Sequence, residues 1–225
     1  MNILIHDPWV SVSDYVVAVI AASMAVRVLK SPTKDPTLQR GWGLVFIALA
    51  LAAFLGGTDH GFLRYPEGTA HEVVWSLTLI TLAITGVGQV IVAARLALAP
   101  SATRVVALVA GIAALIYAGL VAAGLRQFTF VIIFYLPGTL LLLAALIAVK
   151  RRHPQAIVWP GIVGLLGTVL ASVIQLLFTN YSLGPIPISA VYHLIAIVAL
   201  FFLVRTALWL VEHWPLAGST TTDAT

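Results

Sequence analysis

The chain has 225 residues, of which 61% are hydrophobic and only 9% are charged, with a formal net charge of +4. A soluble domain carries roughly 25% charged residues because water must wet its surface, so this composition excludes an ordinary soluble protein. The basic residues are scattered among the links between apolar stretches, which argues against a nucleic-acid partner, and the absence of cysteine excludes disulfides and thiolate metal sites.

Seven apolar stretches follow one another along the chain, and each is long enough to cross a hydrocarbon core of about 30 Å as a helix. They are continuous runs of Ala, Leu, Val and Ile, without the alternation that a membrane β-barrel requires. We therefore predict an all-α, polytopic membrane protein, a seven-transmembrane-helix bundle that forms a single domain over residues 1–218, with a disordered tail over residues 219–225. The predicted spans are Val12–Leu29, Gly43–Phe62, Val73–Leu98, Arg104–Leu125, Phe128–Val149, Ala156–Phe178 and Ile188–Val211.

Lysine and arginine are unequally divided between the two ends of the predicted bundle. Of the 12 Lys and Arg residues, only Arg64 and Arg126 fall on the side that contains the N-terminus, which leaves ten on the opposite side. Basic residues are retained on the cytoplasmic side of membrane proteins. The pattern thus predicts an N-terminus outside and a C-terminus in the cytoplasm.

With this orientation, the polar residues of the spans gather in the extracytoplasmic half of the bundle. A charged group at mid-membrane costs about 2.5–3.5 kcal/mol even on the most lenient scale, so such residues indicate a functional site. A helical bundle can bring side chains from several helices into one internal site. The residues concerned come from six helices: Asp14, Asp59, His60, His71, Glu72, Tyr135, Gln175, Ser189, Tyr192 and His193.

Three of these residues, His60, His71 and His193, are imidazoles at comparable depth. Three protein ligands and one water molecule form the usual coordination of a catalytic zinc ion, which lowers the pKa of that water to about 7. The pattern predicts these histidines as zinc ligands. Asp59, Asp14 or Glu72 would orient a histidine or move a proton, and Asp59 is the candidate catalytic residue among them. The alternative is that histidines near the ends of spans are simply hydrated, or that His193 is a hydrogen-bonded structural residue.

The segments Phe54–Phe62 and Ser189–His193 carry a resemblance to a known group. Seven spans, a histidine that ends span two and a histidine early in span seven resemble the CREST superfamily, which includes alkaline ceramidases and the adiponectin and progestin receptors. The same segments are similar to those of an uncharacterised bacterial seven-helix family, which implies a location in the inner (plasma) membrane of a bacterium. The resemblance implies a zinc-dependent hydrolase of lipid amides or esters, with Ser189 as a second candidate catalytic residue and membrane lipids as the molecules it meets.

The chain departs from the superfamily pattern at several positions. That pattern is Ser-x-x-x-His late in span two, Asp early in span three and His-x-x-x-His in span seven. Gly56 stands in place of the serine, and His71 stands near the place of the aspartate. Span seven keeps one histidine of the pair: either Ser189 replaces the first histidine, or His193 is the first and Ile197 replaces the second. Two hypotheses therefore stay open: a hydrolase with a rebuilt zinc site, and a non-enzymatic lipid-binding, sensory or assembly protein with a degenerate one.

Two further alternatives remain at this point. Two of the histidines would be able to ligate a haem iron. A transporter is less favoured, because only Gln89 and Arg95 continue the polar path into the inner half of the predicted bundle.

Overall fold

Seven long helices make up most of the structure, a computed structural model that describes residues 5–65 and 68–215. All seven are long and apolar enough to cross a membrane, which confirms the prediction of an all-α seven-helix protein and indicates an integral membrane protein. The predicted tail, residues 219–225, lies outside the described residues. The helices are α1 (Pro8–Lys30), α2 (Pro36–Thr58), α3 (Thr69–Ala97), α4 (Pro100–Ala122), α5 (Phe128–Arg152), α6 (Trp159–Phe178) and α7 (Ile188–His213).

Two shorter elements complete the described fold. A π-helical segment, Asp59–Leu63, continues α2. Between α6 and α7, the strands β1 (Ser182–Leu183) and β2 (Ile186–Pro187) pair as an antiparallel hairpin. Gly184 makes its turn with φ of 61°, a left-handed conformation that glycine adopts without steric cost.

Several helices extend beyond the predicted apolar stretches, and α2 shows why. It begins at Pro36 rather than Gly43, because Asp35 caps it: the Asp35 carboxylate accepts a hydrogen bond from the Leu38 amide at 3.0 Å. Proline suits the first helical position because its missing N–H would have no partner there. The first turns of this helix contain polar residues such as Gln39 and therefore lie outside the apolar run.

Six of the helices form a closed ring in the order α1, α2, α3, α5, α6, α7, with α7 packed against α1. Helix α4 lies outside this ring, packed against α3, and presents an exposed apolar surface on which Leu115 is 74% exposed. We call the end of the ring that holds His60, His71 and His193 the histidine end, and the other the basic end. Fully buried apolar side chains fill the basic half of the ring, among them Trp42 and Phe46.

Helices α3 and α5 approach closely where two glycines face each other. A Cβ atom on Gly138 would lie 2.7 Å from the carbonyl oxygen of Gly86, and one on Gly86 would lie 2.9 Å from the Cβ of Tyr135. Both distances are shorter than Cβ atoms show in real proteins, so a side chain at either glycine would force the two helices apart. Glycine at such positions allows backbones to approach closely in membrane bundles.

We therefore expect Gly138→Ala to destabilise the protein by about 1–3 kcal/mol, the usual cost of an extra methyl group in a packed interior. Thermal unfolding in detergent would show this as a lower midpoint. Gly111→Ala is the matched control, since no described atom beyond its own stretch of helix lies within 4 Å of where its Cβ would be. Equal midpoints for the two variants would contradict the close packing of α3 and α5.

Candidate functional site

A cavity of about 300 Å³ lies inside the ring at the histidine end. Its walls change character with depth: Val17 lies about one helical turn deeper than Asp14, and Ala196 lies a turn deeper than His193. The cavity is therefore polar at its mouth and apolar at its floor. The floor residues are Val17, Leu49, Ala52, Ala53, Leu82 and Ala196, and the polar residues are Asp14, Asp59, His60, Arg64, His71, Thr78, Gln175, Thr179, Ser189, Tyr192 and His193.

The polar residues expected from the sequence do meet, with two exceptions. The structure brings Asp14, Asp59 and all three candidate zinc ligands to this cavity, together with Gln175, Ser189 and Tyr192. Glu72 instead lines a neighbouring depression and pairs with Arg126, at 2.9 Å between Oε2 and Nη1. Tyr135 lies behind the cavity wall, where its buried hydroxyl contacts that of Ser172 at 2.5 Å.

Asp59 and His71 form a close pair. Nδ1 of His71 lies 2.7 Å from Oδ1 of Asp59, whose residue is only 1% exposed. Asp59 begins the π-helical segment, and such wide turns occur often at functional sites. When Nδ1–H donates to the carboxylate, the imidazole lone pair resides on Nε2, which is the arrangement of a general base. His71 also lines the neighbouring depression, so its ring lies between that depression and the cavity.

His60 is held in a different way. Arg64, one turn further along the chain, donates a hydrogen bond from Nη1 to Nδ1 of His60 at 2.8 Å. The Asp7 carboxylate lies near both groups, with Oδ2 at 3.7 Å from Nη1 of Arg64 and 3.9 Å from Nδ1 of His60. The backbone supports this contact, because the Asp7 amide donates to the carbonyl oxygen of His60 at 3.3 Å.

Both ring nitrogens of His193 contact residues of α1. Its Nδ1 lies 2.9 Å from the hydroxyl of Ser13 and its Nε2 lies 3.1 Å from Oδ1 of Asp14. Asp14 is buried, and glycine on α2 makes room for it: a Cβ on Gly57 would lie 3.0 Å from the Cβ of Asp14. The two contacts to His193 join α7 to α1 and close the ring at this end.

Ser189 pairs with an amide rather than with an imidazole. Nε2 of Gln175 lies 3.2 Å from the hydroxyl of Ser189 and 3.2 Å from that of Thr179. Oε1 of Gln175 is buried and has no hydrogen-bond partner among the described residues. A hydroxyl needs an adjacent base to act as a nucleophile, and the contacts recorded for Ser189 do not include one.

The three histidines as placed do not fit the zinc site that the sequence predicts. Within residues 5–65 and 68–215, no three His, Asp or Glu side chains form a group that could hold a metal ion. Both nitrogens of His193 and Nδ1 of His60 are occupied by protein contacts. A ligand set of His60, His71 and His193 would require His193 to break one of its contacts to α1. The zinc site therefore stays a prediction.

Three residues of the site, Arg64, Ser13 and Trp75, could not be assigned to it from the sequence. The spacing His60-x-x-x-Arg64 was the available signal, because residues four apart on a helix are neighbours. Ser13 gave no local signal, since its partner His193 is 180 positions away. Trp75 lines the cavity and donates from Nε1 to the carbonyl oxygen of Arg126 at 2.8 Å.

Comparison with known proteins places the chain in one family. The model of DUF6962, a family of unknown function, matches residues 9–210. No curated protein and no solved structure matches the chain. Because the matched region includes nearly all of the seven helices and the whole lining of the cavity, the chain belongs to the DUF6962 family of unknown function.

Proposed function

We propose that this protein is an integral membrane hydrolase that cleaves an ester or amide bond of a lipid-like molecule inside the cavity. The observation that carries the proposal is the contact of 2.7 Å between Asp59 and His71, at the polar mouth of a cavity whose floor is apolar. Buried pairs of a carboxylate and an imidazole in a cleft are typical of acid–base chemistry.

The shape of the cavity supports an amphipathic substrate. Its volume of about 300 Å³ is at the lower end of the range for small-molecule sites. An acyl chain that enters from water would gain about 0.8 kcal/mol for each CH₂ group buried on the apolar floor. The bond between the chain and its polar head would then lie at the polar mouth, near Asp59 and His71.

The reaction follows from the state of His71. Nε2 of His71 takes a proton from a water molecule, and the water oxygen bonds to the carbonyl carbon of the substrate. The tetrahedral intermediate then breaks its bond to the alcohol or amine, which leaves with the proton that His71 returns. The products are a carboxylic acid and an alcohol or amine. Asp59 keeps the imidazole in the required tautomer and stabilises its protonated form.

The experiment is to incubate the purified, detergent-solubilised protein with p-nitrophenyl laurate and with a fluorescent N-dodecanoyl sphingosine. We expect catalytic release of product from at least one of these probes. If the folded protein binds both probes but releases no product from either, the hydrolase proposal is wrong. Zinc content is measured on the same sample: stoichiometric zinc that is lost in the variant His60→Ala/His193→Ala would support the three-histidine site predicted from the sequence.

A second candidate is a non-enzymatic lipid-binding protein. The closed hydrogen bonding of His193 and the pairing of Ser189 with Gln175 favour it, because these contacts are typical of structural polar residues. Saturable binding of the fluorescent N-dodecanoyl sphingosine without turnover is the result that distinguishes it from the hydrolase.

We further propose that the histidine end faces the outside of a bacterial inner membrane, since ten of the 12 Lys and Arg residues gather at the basic end. The chain contains no cysteine, so single cysteines introduced at exposed serines can be labelled without background. In spheroplasts, a membrane-impermeant maleimide should label Ser182→Cys at once, but Ser101→Cys only after lysis. The reverse pattern would contradict the proposed orientation.

A further inference from the structure

The contact between Arg64 and His60 determines where the proton of His60 lies. A guanidinium has only donors and stays protonated, so at 2.8 Å Nδ1 of His60 must accept the hydrogen bond. A neutral imidazole whose Nδ1 accepts carries its proton on Nε2. His60 is therefore a hydrogen-bond donor through Nε2, whereas a neutral His71 that donates from Nδ1 to Asp59 carries its lone pair on that atom.

The two rings line the same cavity, so the mouth offers a base and a donor together. Hydrolysis of an ester or amide builds negative charge on the carbonyl oxygen, and a fixed donor that meets this charge stabilises the transition state. A proton on Nε2 suits this task and is incompatible with metal ligation through the same atom. The contacts of His60 thus disagree with its predicted role as a zinc ligand.

We propose that His60 donates a hydrogen bond from Nε2 to the carbonyl oxygen of the substrate, and that Arg64 is the positioning residue that holds the proton there. This inference rests on the hydrolase function proposed above, and it assigns different roles to two histidines that the sequence alone presents as equivalent. Asp7 allows the role of Arg64 to be tested. If Arg64 is removed, the Asp7 carboxylate becomes the remaining acceptor near Nδ1 and should draw the proton to that side of the ring.

The first test measures the tautomer of His60 in the resting protein, without substrate. The chain has six histidines, so ¹⁵N-histidine labelling gives a short spectrum in which His60→Gln identifies the resonances of His60. We expect a protonated Nε2 and an unprotonated Nδ1 in the wild type, and the opposite in Arg64→Met. Arg126→Met removes an equal charge near the same end and should leave the tautomer of His60 unchanged, as should Asp7→Asn.

The second test asks whether His60 contacts the carbonyl group. The probe is 2-tridecanone labelled with ¹³C at the carbonyl carbon, a ketone that this protein cannot hydrolyse. We expect the infrared carbonyl stretch of the bound probe to shift to lower frequency in the wild type, and to lose that shift in His60→Ala. A shift that persists in His60→Ala would overturn the inference, whether or not the protein has hydrolase activity.

The third test uses turnover of the laurate ester. Loss of one such donor lowers kcat by about 10²–10³-fold in enzymes that use an oxyanion hole. We expect His60→Ala to show this fall with a smaller change in KM, and His60→Gln to recover part of it through its amide N–H. A wild type that turns over while His60→Ala keeps the same kcat refutes the role of His60 and leaves the hydrolase proposal intact. A wild type with the expected tautomer and probe shift but no turnover refutes the hydrolase instead.

Discussion

Replacing His71 with alanine is expected to lower kcat for the laurate ester by about 10²–10⁴-fold, the usual contribution of a positioned general base. The loss should appear in kcat rather than in KM, because an acyl chain bound to the apolar floor would not depend on the imidazole. Steady-state kinetics of the purified variant measures both constants. His213→Ala is the matched control. His213 is the last residue of α7, at the basic end of the ring and away from the cavity, where its Nδ1 contacts the carbonyl oxygen of Trp209.

The variant Asp59→Asn tests whether Asp59 sets the tautomer of His71. Its amide has almost the volume of the carboxylate but can donate to Nδ1 of His71, which moves the imidazole proton to Nε2 and removes the base. We expect a fall in kcat close to that of His71→Ala, and no additional fall in the double variant, because residues that act as a unit are not additive. Multiplied effects in the double variant would show that the two residues act independently.

The second large effect is expected at the basic end, where Asp35→Ala should destabilise the protein by about 3–5 kcal/mol, because it leaves the charge of Arg95 without its partner and removes the cap of α2. Oδ2 of Asp35 lies 2.6 Å from Nη2 of Arg95, whose side chain is 17% exposed. Oδ1 of Asp35 caps α2 through the amide of Leu38. Chemical unfolding in mixed micelles measures the loss in free energy of unfolding.

Two variants separate the contributions of Asp35. Adding Arg95→Met to Asp35→Ala removes the unpaired charge and should recover part of the stability, although the cap stays lost. Glu72→Ala breaks the pair of Glu72 and Arg126, in which the Glu72 side chain is 56% exposed, and should cost only about 0–1 kcal/mol. If Asp35→Ala costs no more than Glu72→Ala, the pair at the basic end contributes no more than a surface pair.

The helices could be predicted because a helix that crosses a lipid bilayer needs a long run of apolar residues, and such a run is visible in consecutive positions of the sequence. The bounds could be predicted less well, since polar first turns such as Pro36–Trp42 belong to the helix but not to the apolar run. The position of α4 could not be predicted, because a helix that is apolar on all sides fits a ring and its periphery equally well. Only packing decides, and α4 packs against α3 outside the ring.

The sequence predicted which residues lie at the depth of the candidate site, but not which of their side chains contact one another. Depth along each span placed Asp59, His71 and His193 near the same level, and the structure brings all three to the cavity. Which atoms meet depends on how each helix is rotated about its axis, and one sequence does not specify this. For that reason three equivalent imidazoles suggested a metal, whereas the structure gives each a different partner: Arg64 for His60, Asp59 for His71, and α1 for His193.

The interior of the ring at the basic end is filled with apolar side chains, and this affects how a transmembrane voltage acts on the protein. A transmembrane voltage drops mainly where water is absent, hence across the layer of buried side chains around Trp42 and Phe46 rather than along the polar cavity. Moving one elementary charge through 100 mV costs about 2.3 kcal/mol, but a proton that passes between water and His71 travels on one side of that drop. Catalysis in this cavity would thus proceed at the same rate in an energised and in a de-energised membrane, and it would neither consume the proton gradient nor contribute to it.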